Sequence, residues 1–575
     1  MDCGGVEITM LSEDKKPVQA LQFNIRLLFW LVPVAFFALF YVLPIGSILE
    51  HIVADPGSIG KLQSVWPKIW SPLKFTVWQA VLSTLITMLI GVPAAFVFAR
   101  FRFPGKGLMK ILTTIPFIMP TVVVAAGFSS LIGPQGWLNV LLMNLMGLQH
   151  PPLQILNTIY AIVLAHVFYN TTVFIRVLGG AWSQLDPKME YAARSLGASA
   201  IKVFKEITLP LLRPAFFSAL LLVFLFDFTS FAVILLLGGP GFATLEVEIY
   251  TQALHLLNLP MAGLLSFVQL MFTLMLTVGY SRLNQRKSLA LQPRDPIEVE
   301  KPAVNLAEKM LLWGVNLVLL LLLISPLISL AIRSILAPAN NAGVGRLSLR
   351  YYTALFVNQR SSLFYVPPVE AIINSLWIGF LTITFTLLVG FFAAKTLSRR
   401  TKASRLFDIL LMLPLGTSAV TLGLGFLLVF NRPPLIAGHS FVLIPLAHSL
   451  VALPFVVRIL QPAIESIPDI YTQSAAILGA SPWQVWRQIE LPLLARSFLS
   501  GGIFAFTISI GEFGATTFLS TPDLPTIPVA IYRYLSQPGA LNYGQAMAMA
   551  TILMVVCALA IMVVEKLRLP GISDF

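Results

Sequence analysis

Charge is scarce in this chain. Of its 575 residues only 11% are Asp, Glu, Lys or Arg, while 57% are hydrophobic. Mean hydropathy is +0.85. A soluble globular protein carries about a quarter charged residues, so the balance excludes an ordinary water-soluble domain and points to a polytopic membrane protein. Cysteine is nearly absent. Cys3 and Cys557 lie in very different surroundings, which excludes a disulfide framework and a thiolate metal site. The six histidines (His51, His150, His166, His255, His439, His448) are dispersed, without metal-ligand spacing. No G-x-x-x-x-G-K-[ST] run occurs anywhere, so any ATP hydrolysis must belong to a separate subunit. No nucleophile–base pair stands within the apolar runs, which argues against an intramembrane enzyme. The expectation is no catalytic residue, no cofactor and no metal.

What the chain has in abundance is long apolar runs. About 20 such residues cross the hydrocarbon core as a helix. Six runs fall in the first half, at 27–49, 75–99, 108–132, 155–177, 215–237 and 260–282. Six more fall at 311–332, 372–396, 407–430, 441–461, 498–518 and 544–564. The first run is too long for a cleavable signal peptide, and no small-residue cleavage site follows Leu43-Pro44-Ile45. The fold class expected is all-α, with about twelve membrane helices.

The net charge of +13 is explained by where the basic residues lie. Lys15, Lys16 and Arg26 precede the first run, and Arg100, Arg102 and Lys106 follow the second. Arg176, Lys188, Arg194, Lys202, Lys205 and Arg213 fill the gap between the fourth and fifth. The second half repeats the pattern with Arg399, Arg400, Lys402 and Arg405, then Arg458, Arg487 and Arg496. These are alternate loops, so the positive-inside rule puts them and both termini in the cytoplasm. The basic excess is a topology signal, not a nucleic-acid footprint. Segment 284–308 is polar, with Pro293, Pro296 and Pro302, and reads as a cytoplasmic linker. The expected organisation is a cytoplasmic segment 1–26, a first transmembrane domain 27–283, the linker, a second domain 309–567 and a tail 568–575.

A linker in that place suggests a repeat. Ala165-His166 is answered 282 residues on by Ala447-His448, and Arg176 by Arg458. In the same register Leu196-Gly197-Ala198-Ser199 matches Leu478-Gly479-Ala480-Ser481, and Leu209-Pro210-Leu211-Leu212 matches Leu491-Pro492-Leu493-Leu494. Phe231 meets Phe513, and Ile249-Tyr250 meets Ile531-Tyr532. Upstream the offset becomes 299, pairing Trp78, Gly91, Ala94 and Ala95 with Trp377, Gly390, Ala393 and Ala394. The chain is a tandem duplication. Six helices per copy is an even number, so the copies are parallel, related by an axis along the membrane normal.

The long loop between the fourth and fifth helices of each copy is the most distinctive segment. The first reads Glu190-Tyr191-Ala192-Ala193, reaches Gly197, then runs from Phe204 to Pro210. The second reads Gln473-Ser474-Ala475, reaches Gly479, then runs from Trp486 to Pro492. Each is a short helix of small residues, a glycine at which the chain turns, and an amphipathic stretch. A proline then opens the next membrane helix, where its missing N–H costs nothing. Two such helices in equivalent places, outside the bilayer, suit the docking of a partner.

These loops resemble the EAA motif of binding-protein-dependent ABC importer permeases of the type I fold, and the resemblance extends over nearly the whole chain. It implies that each loop is a coupling helix seated in a groove of a cytoplasmic ABC ATPase, two ATPase subunits in all. It also implies an extracellular or periplasmic substrate-binding protein and a bacterial or archaeal plasma membrane. The fused two-half form with small outer loops is similar to ferric-iron and thiamine permeases. Ser509-Ile510-Gly511-Glu512-Phe513-Gly514 and Val563-Val564-Glu565-Lys566-Leu567 lean to the thiamine type. One departure stands out. The family's first Glu is replaced by Tyr191 and Gln473, which shifts docking towards apolar and hydrogen-bond contacts. The rival class is a secondary transporter with two parallel six-helix halves, self-sufficient and driven by an ion gradient.

Three polar groups inside the apolar runs are candidates for the translocation pathway: Asp227, Ser230 and Glu512. A carboxylate at the bilayer centre costs about 2.5–3.5 kcal/mol, so each should face the bundle interior or a cavity. Two readings stay open: lining a path for a cationic solute, or a structural role, hydrogen bonding to a neighbouring helix or, for Glu512, a place near the outer interface. His166 and His448 read as core histidines paired to backbone carbonyls, with substrate contact as the alternative.

Overall fold

A computed structural model of the chain describes residues 29–54, 62–285, 299–337, 346–357, 368–430 and 441–567. The N-terminal segment, much of the linker and the tail lie outside the described residues. Among the described residues, eleven helices are long and apolar enough to span a membrane, or twelve if one bent pair counts as a span.

In the first repeat the helices are α1 (Phe29–Ile52), α2 (Trp66–Arg100), α3 (Lys106–Ile118), α4 (Thr121–Ile132), α5 (Trp137–Met146) and α6 (Ile159–Ser183), α4 and α5 together making one candidate span. The loop helix α7 (Pro187–Ser195) follows, then α8 (Ala200–Phe228), the short α9 (Ala232–Leu237) and α10 (Leu245–Tyr250), and α11 (Leu259–Tyr280). The second repeat runs α12 (Leu306–Ile335), α13 (Pro368–Leu397), α14 (Lys402–Met412), α15 (Ala419–Phe430) and α16 (Leu443–Glu465). Its loop helix is α17 (Asp469–Ile477), followed by α18 (Pro482–Gly511), α19 (Gly514–Leu519), α20 (Ile527–Ser536) and α21 (Ala540–Ala560). Trp78 and Trp377, repeat partners on α2 and α13, are both about half exposed, as lipid-facing residues should be.

Several runs expected as straight helices are broken, at equivalent places in the two copies. The run 108–132 stops at Ile118 because Pro120 forces Met119 into extended backbone (φ −65, ψ 136) and cannot itself donate to the ladder. Its counterpart 407–430 bends by 98° after Gly416. The run 215–237 leaves helix at Thr229-Ser230 and re-enters at Ala232; the run 498–518 leaves at Glu512 and re-enters at Gly514.

The repeats interlock by exchanging their first helices. Helix α1 packs on α15 of the other repeat, and α12 packs on α4. Both crossings use the same device. A Cβ placed on Gly425 would come within 2.9 Å of Pro44, and one on Gly127 within 3.0 Å of the Pro326 carbonyl oxygen. Pro44 and Pro326 each lie within the first helix of their repeat, 282 residues apart. Only glycine lets the backbones approach this closely. Tyr41 and Thr417 pair at 2.7 Å across the first crossing, and Ser130 and Ser329 at 2.5 Å across the second. The end of the linker is also held: Lys301–Pro302 pairs as a parallel strand with Phe101–Arg102, and Glu300 meets Lys106 at 2.8 Å. Burial pulls the Lys106 ammonium below its ordinary pKa, with Glu300 opposing the shift.

Candidate functional site

The loop helices are capped by their own sequence. Asp186 accepts from the Lys188 N–H and places Pro187 in the first turn of α7. Helix α7 ends at Gly197 with φ +86, and α17 at Gly479 with φ +82. These are left-handed positions that a side chain rarely adopts, and they explain why both loops carry glycine there. Beyond each glycine a serine caps the next turn: Ser199 accepts from the Lys202 N–H, and Ser481 forms a reciprocal box with Gln484. A π-helical turn then joins each loop to the membrane helix at matching positions, Phe204–Thr208 and Trp486–Glu490.

These capped helices bury almost nothing. Tyr191, Leu196 and Ile201 stand exposed on the first loop, with Ile470, Ile477, Leu478 and Trp483 on the second; Leu196 is 90% exposed and Leu478 87%. Ala192, Gln473 and Ser474 are exposed beside them, and Ala193 and Ala475 half-exposed. Phe204 divides its ring between solvent and Trp182, 6.4 Å away, while Trp486 stacks on Trp483 at 5.0 Å. Pro210 and Pro492 sit near the base of each membrane helix. Among the described residues, the side chains of Leu196, Ile201, Ile477 and Leu478 stay largely uncovered.

Each loop is tied to the bundle differently. Glu190 on α7 accepts from Arg100 Nη2 at 2.6 Å and from the Thr208 hydroxyl at 3.1 Å. Glu190 therefore faces inward, where sequence reasoning gave it no role. In the second copy the carboxylate has moved off the loop helix: Glu490, at the base of α18, accepts from Lys395 at 2.7 Å. The repeat register shows the exchange, since Glu190 aligns with Thr472 and Thr208 with Glu490.

Several polar residues of the apolar runs gather around the two histidines. His166 Nδ1 pairs with the Ser83 hydroxyl at 3.0 Å and lies 3.4 Å from Asp227; its Nε2 pairs with Ser230 at 2.8 Å. His448 Nδ1 pairs with Ser509 at 2.8 Å, and its Nε2 with Thr516 at 2.8 Å, 3.1 Å from Glu512. Both rings are core residues, but their partners are hydroxyls and carboxylates rather than backbone carbonyls. Asp227 is fully buried and further accepts from Asn170 Nδ2 at 2.7 Å and from Thr84 at 3.3 Å, all within the first repeat. Its carboxylate is taken up by α2 and α6. Glu512 occupies the break before α19, accepting from the Ala515 and Thr516 N–H groups at 2.9 and 3.0 Å. Ser230 occupies the matching break before α9. The structure thus separates the three pathway candidates into two histidine centres, one in each repeat.

Residues 88–289 and 386–573 match the family model described as "Binding-protein-dependent transport system inner membrane component". The chain is 28% identical over 533 residues to the thiamine transport system permease protein ThiP of Escherichia coli (strain K12), covering 88% of this chain and 91% of that protein. The ThiP of Brucella abortus (strain 2308) is 28% identical over 509 residues, 87% of this chain and 88% of its own length. That of Salmonella typhimurium is 26% identical over 568 residues, 94% and 97%. With two matches that together span well over half its length, one in each repeat, the chain belongs to the family of binding-protein-dependent transport system inner membrane components, as a fused two-domain type I ABC permease.

Proposed function

We propose that this chain forms the translocation pathway of a thiamine importer and is driven by two ABC ATPase subunits that dock on α7 and α17. The observation that carries this reading is the pair of glycine-terminated loop helices. Each presents uncovered apolar side chains at a repeat-equivalent position, beside a membrane helix that continues from it. Exposed apolar side chains on a rigid helix mark a surface meant for a partner. The thiamine assignment draws on the names of the relatives and on the cationic nature of that solute.

In this reading ATP-driven closure of the ATPases moves both loops. Helices α8 and α18, with Pro210 and Pro492 near their bases, carry the displacement into the bilayer, and the two repeats rock about their shared axis. An external binding protein delivers solute when the pathway opens outward. Ferric iron is the other cationic solute that a fused permease of this kind could carry, and uptake tests separate it from thiamine.

The test is ATPase activity of the permease co-purified with its ATPase and reconstituted with loaded binding protein. Gly197→Val and Gly479→Val each force a β-branched residue into the left-handed region, at about 1–2 kcal/mol. Each is expected to lower ATPase retention on the permease at least tenfold, with Gly107→Ala, whose new Cβ meets nothing, as the neutral control. Undiminished retention in both variants would refute docking through these loops.

A further inference from the structure

The axis that relates the repeats passes through a set of stacked rings. Phe231 and Phe513 are repeat partners and stack on each other across the interface, with centroids 5.5 Å apart and planes 19° from parallel. Within the first repeat Phe231 contacts Tyr250 at 5.4 Å; within the second Phe513 contacts Tyr532 at 5.5 Å. Tyr250 and Tyr532 are likewise repeat partners. An edge contact from Tyr250 to Phe518 at 6.2 Å adds a second link between the repeats. Phe231, Phe513, Tyr250 and Phe518 are all buried, none more than 6% exposed.

Their place along the pathway follows from the helices. Helix α8 starts beside the first coupling loop at Ala200 and runs 29 residues to Phe228, about 43 Å at 1.5 Å per residue. Phe231 lies just past that end, so the rings sit on the side of the membrane away from the coupling loops. They also sit directly after the two helix breaks, where the backbone leaves helix at Ser230 and at Glu512. Offset-stacked rings are worth about 0.5–1.5 kcal/mol beyond the area they bury, a strength that holds a seal but lets it part.

We propose that Phe231, Tyr250, Phe513 and Tyr532 form the seal that closes the pathway on the face opposite the ATPase loops, and that it opens by splitting between Phe231 and Phe513. Each repeat keeps its own Phe–Tyr pair, so the cut falls along the axis and nothing within a repeat needs to unpack. Two histidine centres hold the broken ends in place: His166 on Ser230 and His448 on Glu512 and Thr516. The proposal rests on the importer reading for what drives the opening, but not on the identity of the solute.

The test places one thiol on each side of the cut with Phe231→Cys and Phe513→Cys, in a chain carrying Cys3→Ser and Cys557→Ala. A protease site in the linker reports cross-linking, because cleaved halves then stay together on a gel. In the resting complex with its ATPase the pair is expected to cross-link under oxidation, abolishing transport-coupled ATPase stimulation at least tenfold, with recovery on reduction. In the vanadate-trapped complex, a membrane-impermeant maleimide applied from the binding-protein side should label the thiol of Phe513→Cys at least fivefold faster than at rest. Equal labelling in both states, or full cross-linking with undiminished stimulation, would overturn the proposal. So would failure of the pair to cross-link at rest. A separate uptake assay on the reduced protein judges the thiamine assignment, which can fail while the seal stands.

Discussion

The two repeats solve the same problems with the same parts in exchanged positions. Around the histidine, position 227 is Asp and its partner 509 is Ser, whereas position 230 is Ser and its partner 512 is Glu. The first ring has its acid on the Nδ1 side and a hydroxyl on Nε2; the second has a hydroxyl on Nδ1 and its acid on Nε2. In the loops the acid moves as well, from α7 (Glu190) to the base of α18 (Glu490), and its basic partner from Arg100 to Lys395. A buried polar cluster tolerates rearrangement as long as every member keeps a partner. The duplicated frame therefore conserves shape at the Pro–Gly crossings and the stacked rings, and conserves hydrogen-bond balance elsewhere. The consequence for function is asymmetry: the first loop helix is bonded directly to the bundle, while in the second copy the acid braces the membrane helix instead.

The comparison breaks most visibly at the shared crossings. Gly127→Leu and Gly425→Leu both drive a side chain into proline or its backbone, each at about 1–3 kcal/mol or more. Both should sharply reduce the monodisperse fraction on size exclusion, and by similar amounts. A large effect from one alone would mean that the crossings are not equivalent.

Next come the histidine centres. His448→Ala leaves Glu512, Ser509 and Thr516 without their shared partner, and His166→Ala leaves Ser83 and Ser230. Each buried hydrogen bond lost costs about 0.5–1.5 kcal/mol, so both variants should lower the thermal midpoint by a few degrees. Moving the acid, with Asp227→Ser and Ser230→Glu together, should cost less than Asp227→Ala if the second arrangement suits the first site.

The smallest expected effect sharpens the asymmetry of the loops. Arg100→Ala removes the ion pair to α7, a charge-assisted contact of about 1–2 kcal/mol where one partner is buried. Amide exchange in 187–197 should then rise several-fold, with no change in 469–479. Lys395→Ala should loosen the segment around Glu490 and leave α17 as it was. Equal responses in the two loops would remove the distinction.

Much of this architecture is legible in the residues. Long apolar runs and alternating basic loops carry the spans, and repeated short strings such as Leu-Gly-Ala-Ser and Leu-Pro-Leu-Leu carry the duplication. Loop helices that end at Gly197 and Gly479 follow from glycine's freedom at positive φ. Other features leave weaker traces. The break at Thr229-Ser230 contains neither proline nor glycine, so local propensity gives no warning; it is held by tertiary bonds to His166. The exchange of first helices is a choice between two bundles of the same apolar composition, which periodicity cannot decide. The swapped acids and the stacked rings did leave a signal. In the 282-residue register Asp227 falls on Ser509, Ser230 on Glu512 and Phe231 on Phe513. That register pairs positions, but it takes the folded chain to reveal that Phe231 and Phe513 touch while Asp227 and Ser509 each face a histidine.

The central claim is that this chain is a passive pathway worked by subunits docked on its two loops. Uptake of labelled thiamine into proteoliposomes tests it most directly, with ATP sealed inside together with the docked ATPases, and binding protein outside. The account predicts uptake that requires ATP, ATPase and binding protein together and falls at least tenfold with Gly197→Val or Gly479→Val. Uptake by the chain alone, driven by a proton or sodium gradient and indifferent to those substitutions, would contradict it and make the chain a self-sufficient secondary transporter.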